Sequence, residues 1–306
     1  MSKKWEGIFA ALTTPFEGEK VATGKLAENI RRYNRTGLAG YVILGSTGEA
    51  VFLGDRESDL VVASAKAAAD PKKKIIVGTS RESTRLTLAF TNRMARLAAD
   101  AALVKPPYYY RSLMSQDILK RHYLEVAEHS RIPILIYNIP QNTGVAVEPS
   151  TVSELSRHPN IAGIKDSSGV LANLTEVLPA VRPSFSFLLG AGSIMLAGLM
   201  LGAQGGILAL AAAVPDLCVR LYNLFCTGEI AAARQLQLDL VPLNKALTQT
   251  MGIPAIKWTL DRLGYCGGRP RAPLVPLEKE KQDMVSALLE KLGVLETPGR
   301  SGKKGG

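Results

Sequence analysis

Eight short apolar runs recur along the chain, each closed by Gly, Pro or small polar residues: GIFAALTTPF (7–16), AGYVILGSTG (39–48), KIIVGTS (74–80), AALVKPPYY (101–109), IPILIYNIP (132–140), IAGIKDSSG (161–169), FSFLLGAGS (185–193) and GGILALA (205–211). Continuous runs of this kind suit strands buried on both faces of a parallel sheet. Between them lie segments of helical periodicity. Thr23 is placed to cap a helix with Leu26, Ile30 and Tyr33 on one face and Gly37 past its end, and Ser115 to cap QDILKRHYLEVAEHS. Strand and helix alternate at roughly 25 to 30 residues per unit, which is the pattern of an α/β (β/α)8 TIM barrel. An open doubly wound sheet is disfavoured, because GxGxxG does not follow the first run. After the eighth run the chain turns helical for longer than a barrel needs. The expected division is a barrel over 1–225, a C-terminal helical extension over 226–295 and a disordered tail, rich in Gly, Ser and Lys, over 296–306.

Composition narrows the class. The chain is 46% hydrophobic and 21% charged, yet even ILALAAAV (207–214) stops at Pro215 and Asp216, far short of the roughly 18 apolar residues of a membrane span. MSKKWEGIF lacks an apolar core and cleavage site for export, so a soluble, cytoplasmic protein is expected. Cys218, Cys226 and Cys266 have no CxxC spacing, and His122, His129 and His158 no ligand spacing, so neither a disulfide framework nor a metal site is expected. The net charge of +10 is spread along the chain without a nucleic-acid-binding signature, and favours small anions over nucleic acid.

In a barrel of this type catalytic groups come from the C-terminal ends of several strands. Four ends carry polar residues: GSTGE, PPYYYR, YNIPQNTG and KDSSG. Lys165 stands where the apolar pattern calls for another Val or Ile. An ammonium at that depth is poorly solvated, which favours a neutral, nucleophilic amine able to form a Schiff base with a carbonyl. The plainer alternative is a lysine that reaches solvent or pairs with a carboxylate. Asp166 should not be that partner, because strand alternation turns it to the other face. Tyr137 precedes Lys165 by 28 positions, one βα unit, and so falls at the same height on the neighbouring strand. A phenol beside the amine can relay protons. In GSTGE, Gly45 and Gly48 permit a tight turn whose N–H groups, with the hydroxyls of Ser46 and Thr47, can hold a carboxylate; an ordinary strand-to-helix turn is the alternative. Tyr108, Tyr109 and Tyr110 form an aromatic loop suited to a site wall, a subunit contact or plain packing.

Taken together, GSTGE, YNIPQNTG and GIKDSSG resemble, in order and spacing, the motifs of the dihydrodipicolinate synthase and N-acetylneuraminate lyase superfamily of Schiff-base aldolases. The resemblance spans residues 7 to 295. It implies a barrel with C-terminal helices, usually a homotetramer built as a dimer of dimers, and chemistry without metal or organic cofactor. It also implies Lys165 as the Schiff-base lysine, Tyr137 as the proton-transfer tyrosine, and Ser46 with Thr47 as the holder of the pyruvate carboxylate. Dihydrodipicolinate synthases typically read YNxPxRTG, with an arginine that grips the second substrate; here that position is Asn142, which carries no charge. YYYRSLMS, PQNTG, KDSSG and the late CTG, GIP and GGRPRAPL segments look most like 4-hydroxy-2-oxoglutarate aldolase. That subtype implies Ser167 and Tyr109 in the site, whereas Thr47 departs from the Asn of its mammalian form. The expected catalytic residues are therefore Lys165, Tyr137 and Tyr109, and the expected substrate-binding residues Ser46, Thr47, Asn142, Ser167 and Ile207. The expected reaction is cleavage, or formation, of a 4-hydroxy-2-oxo acid through a pyruvate enamine, 4-hydroxy-2-oxoglutarate giving pyruvate and glyoxylate. Condensation of pyruvate with aspartate semialdehyde is the alternative, and a keto-acid sensor without turnover is the alternative outside catalysis.

Overall fold

A computed structural model describes residues 5–295. The expected tail at 296–306 lies outside the described residues. Eight parallel strands close into a barrel in sequential order: β1 (Gly7–Ala11), β2 (Gly40–Ile43), β3 (Lys74–Gly78), β4 (Ala101–Val104), β5 (Ile134–Asn138), β6 (Ile161–Asp166), β7 (Ser186–Leu189) and β8 (Gly205–Leu208). Each lies within one of the eight apolar runs. Closure is made by β8 on β1, with Phe9 paired to Ile207.

Side chains that alternate inward from the strands form a core of their own: Phe9, Val42, Ile76, Leu103, Leu135, Leu188 and Ile207 fill it. Trp5 caps it from below, its backbone N–H donating to Ser186 Oγ at 2.9 Å and its ring lying 6.2 Å from that of Phe9. The larger core lies between the strands and the surrounding helices. Those helices are α1 (Thr23–Tyr33), α2 (Asp55–Ala68), α3 (Thr84–Arg96), α4 (Gln116–His129), α5 (Pro149–Leu155), α6 (Leu171–Val177), α7 (Met195–Met200) and α8 (Pro215–Cys226). Shorter turns join several of them.

Two helix ends test the capping expectations differently. Ser115 does cap α4, accepting from the N–H of Ile118. Thr23 instead is the first residue inside α1: Ala22 holds the cap position, and no side chain caps it. The C-cap is Asn34, and Gly37 lies beyond it, where a Cβ would come within 2.7 Å of Val219 on α8. Gly37 is therefore needed for close approach to α8. The predicted inward face of α1, Leu26, Ile30 and Tyr33, is buried as expected.

Beyond the barrel, α9 (Ile230–Lys245) runs into a wider helical turn at Ala246–Thr250, followed by α10 (Ile253–Arg262) and α11 (Lys279–Lys291). These form the C-terminal extension. No helix among the described residues is long and apolar enough to cross a membrane.

Candidate active site

The C-terminal ends of β5 and β6 place two functional side chains together. Tyr137 and Lys165 are direct register partners on the parallel pair. Both are about 5% exposed, and Lys165 Nζ lies 4.2 Å from the centre of the Tyr137 ring. The residue following each points the other way. Asp166 accepts from Asn138 Nδ2 at 3.2 Å, from the N–H of Ser168 at 2.8 Å and from Asn173 Nδ2 in α6 at 3.2 Å. Its carboxylate is thus engaged toward the helix layer, and Lys165 stands in no ion pair among the described residues. Alternation along a strand, which turns neighbouring side chains to opposite faces, produces this separation.

GSTGE forms the turn that leaves β2. The N–H of Gly48 donates to Gly45 O at 3.1 Å and that of Glu49 to Ser46 O at 3.1 Å, while Thr14 Oγ1, from the end of the first run, donates to Gly48 O at 2.7 Å. Among the described residues the N–H groups of Ser46 and Thr47 donate to no protein acceptor. Both residues are partly exposed. Leu44 and Glu49, which bracket them, have left-handed backbones at φ +57° and +56°. Gly78 of β3 lies so close that a Cβ there would meet Leu44 O at 2.0 Å.

A cavity of about 290 Å³ opens beside this turn, lined by Leu44, Gly45, Ser46, Leu103, Tyr108 and Tyr137 on one side. Its outer wall carries Asp55, Arg81, Glu82 and Lys105. Arg81 Nη2 meets Asp55 Oδ1 at 2.9 Å. Lys105 lies 3.7 Å from Glu82 Oε1 and 4.2 Å from the Tyr108 ring centre, and burial holds its ammonium below the ordinary lysine value, with Glu82 opposing. Glu82 Oε2 also accepts the N–H groups of Tyr108 and Tyr109, each at 2.9 Å, and so ties down the tyrosine loop. None of these four charged residues stood out in the sequence, since each belongs to a loop or helix start where charge is ordinary.

Residues 4–292 match the model of the dihydrodipicolinate synthetase family. The chain belongs to that family. It is 32% identical over 285 residues to the 4-hydroxy-tetrahydrodipicolinate synthase of Exiguobacterium sp., covering 93% of this chain and 97% of the relative. The structure of dihydrodipicolinate synthase from Aquifex aeolicus matches with a TM-score of 0.89 at 29% identity, over 96% of this chain and 100% of that one. A dihydrodipicolinate synthase variant characterised as monomeric matches with a TM-score of 0.91 at 27% identity, over 95% and 98%. Members of the dihydrodipicolinate synthetase family are lyases, and this chain is an enzyme of that class.

The other expected site residues are placed less uniformly. Ser167 follows Lys165 by two positions; its N–H donates to Asn138 O at 2.8 Å, and its Oγ sits where a Cβ on Gly190 would approach to 1.8 Å. Asn142 is exposed, in the short helical turn Pro140–Thr143 above β5. Ile207 is fully buried in the barrel interior, in the cluster that also holds Tyr137, so it supports the floor. Tyr109 is 74% exposed, with its ring edge-on to that of Tyr110 at 5.0 Å. It is Tyr108 that lines the cavity within this chain.

Proposed function

We propose that the protein is a pyruvate-dependent aldolase in which Lys165 forms the Schiff base. The observation that carries this is the juxtaposition of Lys165, buried and in no ion pair among the described residues, with Tyr137 at the open end of the barrel. The Lys165 amine attacks the C2 carbonyl of a 4-hydroxy-2-oxo acid, and the carbinolamine loses water to give an iminium. Removal of the C4 hydroxyl proton lets the C3–C4 bond break. Its electron pair passes into the iminium as an enamine, and an aldehyde leaves. Protonation of the enamine at C3 and hydrolysis return pyruvate and the free lysine. Tyr137 is the group placed to carry these protons. The unused N–H groups of Ser46 and Thr47 supply donors for the substrate carboxylate, held near the positive iminium.

On substrate, the uncharged Asn142 speaks against aspartate semialdehyde, and the resemblance of YYYRSLMS, PQNTG, KDSSG and the late CTG, GIP and GGRPRAPL segments supports 4-hydroxy-2-oxoglutarate, cleaved to pyruvate and glyoxylate, or a related 2-keto-3-deoxy acid. The second reading, condensation of pyruvate with aspartate semialdehyde, is favoured by the relative from Exiguobacterium, whose name is that of the synthase. Presenting both reactions at equal substrate concentration compares their kcat/KM values. Faster cleavage of the hydroxy-oxo acid is expected; preference for the semialdehyde overturns the substrate assignment and leaves the Schiff base intact.

The proposal extends to a cytoplasmic homotetramer. Tyr109, Tyr110 and Leu113 are 74%, 68% and 63% exposed, an apolar patch at the mouth of the site suited to a second copy. Through such a contact Tyr109 would act in catalysis from the subunit boundary, as its place among the expected catalytic residues requires.

A further inference from the structure

Beneath the Ser46–Thr47 turn lies a buried ion pair that the reaction above does not use. Lys257 occupies the apolar stripe of α10, in line with Ile253, Ile256 and Leu260, and is fully buried. Its Nζ lies 2.6 Å from Oε1 of Glu49, the last residue of GSTGE, whose side chain is also fully buried. The same ammonium donates to Arg269 O at 2.8 Å and sits 4.3 Å from the centre of the Phe16 ring. The other oxygen of Glu49 accepts the N–H of Arg271 at 2.8 Å.

Arg271 carries the linkage onward. Its guanidinium makes a bidentate contact with Glu57 in the first turn of α2, at 2.9 and 2.7 Å, and donates to Phe52 O at 2.8 Å. The C-terminal extension therefore grips the segment after β2 through two carboxylates, Glu49 and Glu57, and through the carbonyl of Phe52 between them. Gly267 makes the approach possible, since a Cβ there would come within 1.9 Å of Lys257 O. Leu44, at the end of the strand, and Glu49, the first grip itself, are the two left-handed residues that bound the turn. Non-glycine residues in that conformation cost energy and persist only where their surroundings enforce it.

We propose that Lys257 and Arg271 are positioning residues, which hold the Glu49 carboxylate so that the strained turn keeps the Ser46 and Thr47 donors aimed at the substrate carboxylate. The C-terminal extension then belongs to the substrate-binding machinery. This rests on the assignment of Ser46 and Thr47 as the carboxylate holder.

The test measures borohydride-trapped adduct at Lys165 against ketone concentration, with pyruvate and with acetone, which has no carboxylate. Removing Lys257 alone strands a buried carboxylate and threatens folding, so the first variant is the double Glu49→Leu, Lys257→Met, which removes both charges. The folded double variant is expected to need about tenfold more pyruvate for half-maximal trapping, with acetone trapping unchanged. An unchanged pyruvate requirement overturns the proposal, and so does an equal fall for both ketones, which marks general damage to the barrel. If the double variant does not fold, Glu57→Gln loosens only the outer grip and should raise the pyruvate requirement about threefold, again without affecting acetone; no shift there overturns the proposal. Failure of the wild type to trap pyruvate at Lys165 overturns the underlying Schiff-base assignment, whereas normal wild-type trapping with unshifted variants overturns the positioning role alone.

Discussion

Three embedded lysines in this chain meet three different fates, and the differences assign their work. Lys257 is neutralised by Glu49 at 2.6 Å, and Lys105 is drawn toward Glu82 at 3.7 Å. Lys165 is buried without a carboxylate partner among the described residues, over the ring of Tyr137. A buried amine left unpaired is the one free to attack a carbonyl. Lys165→Arg is therefore expected to fold yet show no measurable turnover, because a guanidinium is not deprotonated in water; activity at wild-type level would remove Lys165 from the mechanism. Tyr137→Phe keeps the ring under Lys165 and deletes only the hydroxyl. It should retain pyruvate binding while kcat falls by about 10²–10⁴-fold, and an unchanged kcat would make Tyr137 a packing residue.

At the scale of elements, strand alternation made the site legible. A polar residue closing an apolar run, and another at the same height one βα unit away, sufficed to pair Tyr137 with Lys165, and the register confirms the pairing. Lys257 was not singled out in the sequence, where it reads as an ordinary charge of a C-terminal helix; only the structure shows it buried and paired. That partner, Glu49, lies more than two hundred positions away in a turn, and no local pattern points to it. Helix caps were mixed for a similar reason: Ser115 is followed at once by its helix, whereas Thr23 competes with Ala22 for a start set by the preceding small hairpin of Phe16–Glu17 and Lys20–Val21. The packing of α3 on α4 carries a pH dependence. His122 of α4 is buried, its Nδ1 2.9 Å from Thr84 Oγ1, and its Nε2 has no partner among the described residues. Burial holds its pKa down to about 4, against a weak opposing effect of Glu82. The unfolded chain, at an ordinary value near 6.5, binds the proton more readily. The neutral histidine thus contributes stability above about pH 6.5 that is lost as pH falls toward 4, on the order of 3 kcal/mol in full. Urea unfolding at pH 7 and pH 4.5 should show a smaller loss in His122→Gln than in the wild type. An equal loss would place the acid sensitivity elsewhere.

For the whole molecule, the barrel brings together segments that share no sequence neighbourhood: the turn after β2, the tyrosine loop after β4, and the ends of β5 and β6. The extension, which a barrel does not require, reaches back to the first of these through Lys257 and Arg271. Tyr109 and Tyr110 stand exposed on the loop whose Tyr108 lines the cavity. Spacing could not choose among Tyr108, Tyr109 and Tyr110, because the path of their loop is set by Glu82, from another loop, which accepts the N–H groups of Tyr108 and Tyr109. The proposed chemistry turns on one amine, that of Lys165. Incubating the protein with pyruvate, reducing with borohydride and mapping the added mass by peptide tests it most directly. The account predicts one reduced pyruvate adduct per chain, on Lys165; no adduct, or an adduct on Lys105 with Lys165 unmodified, would contradict it.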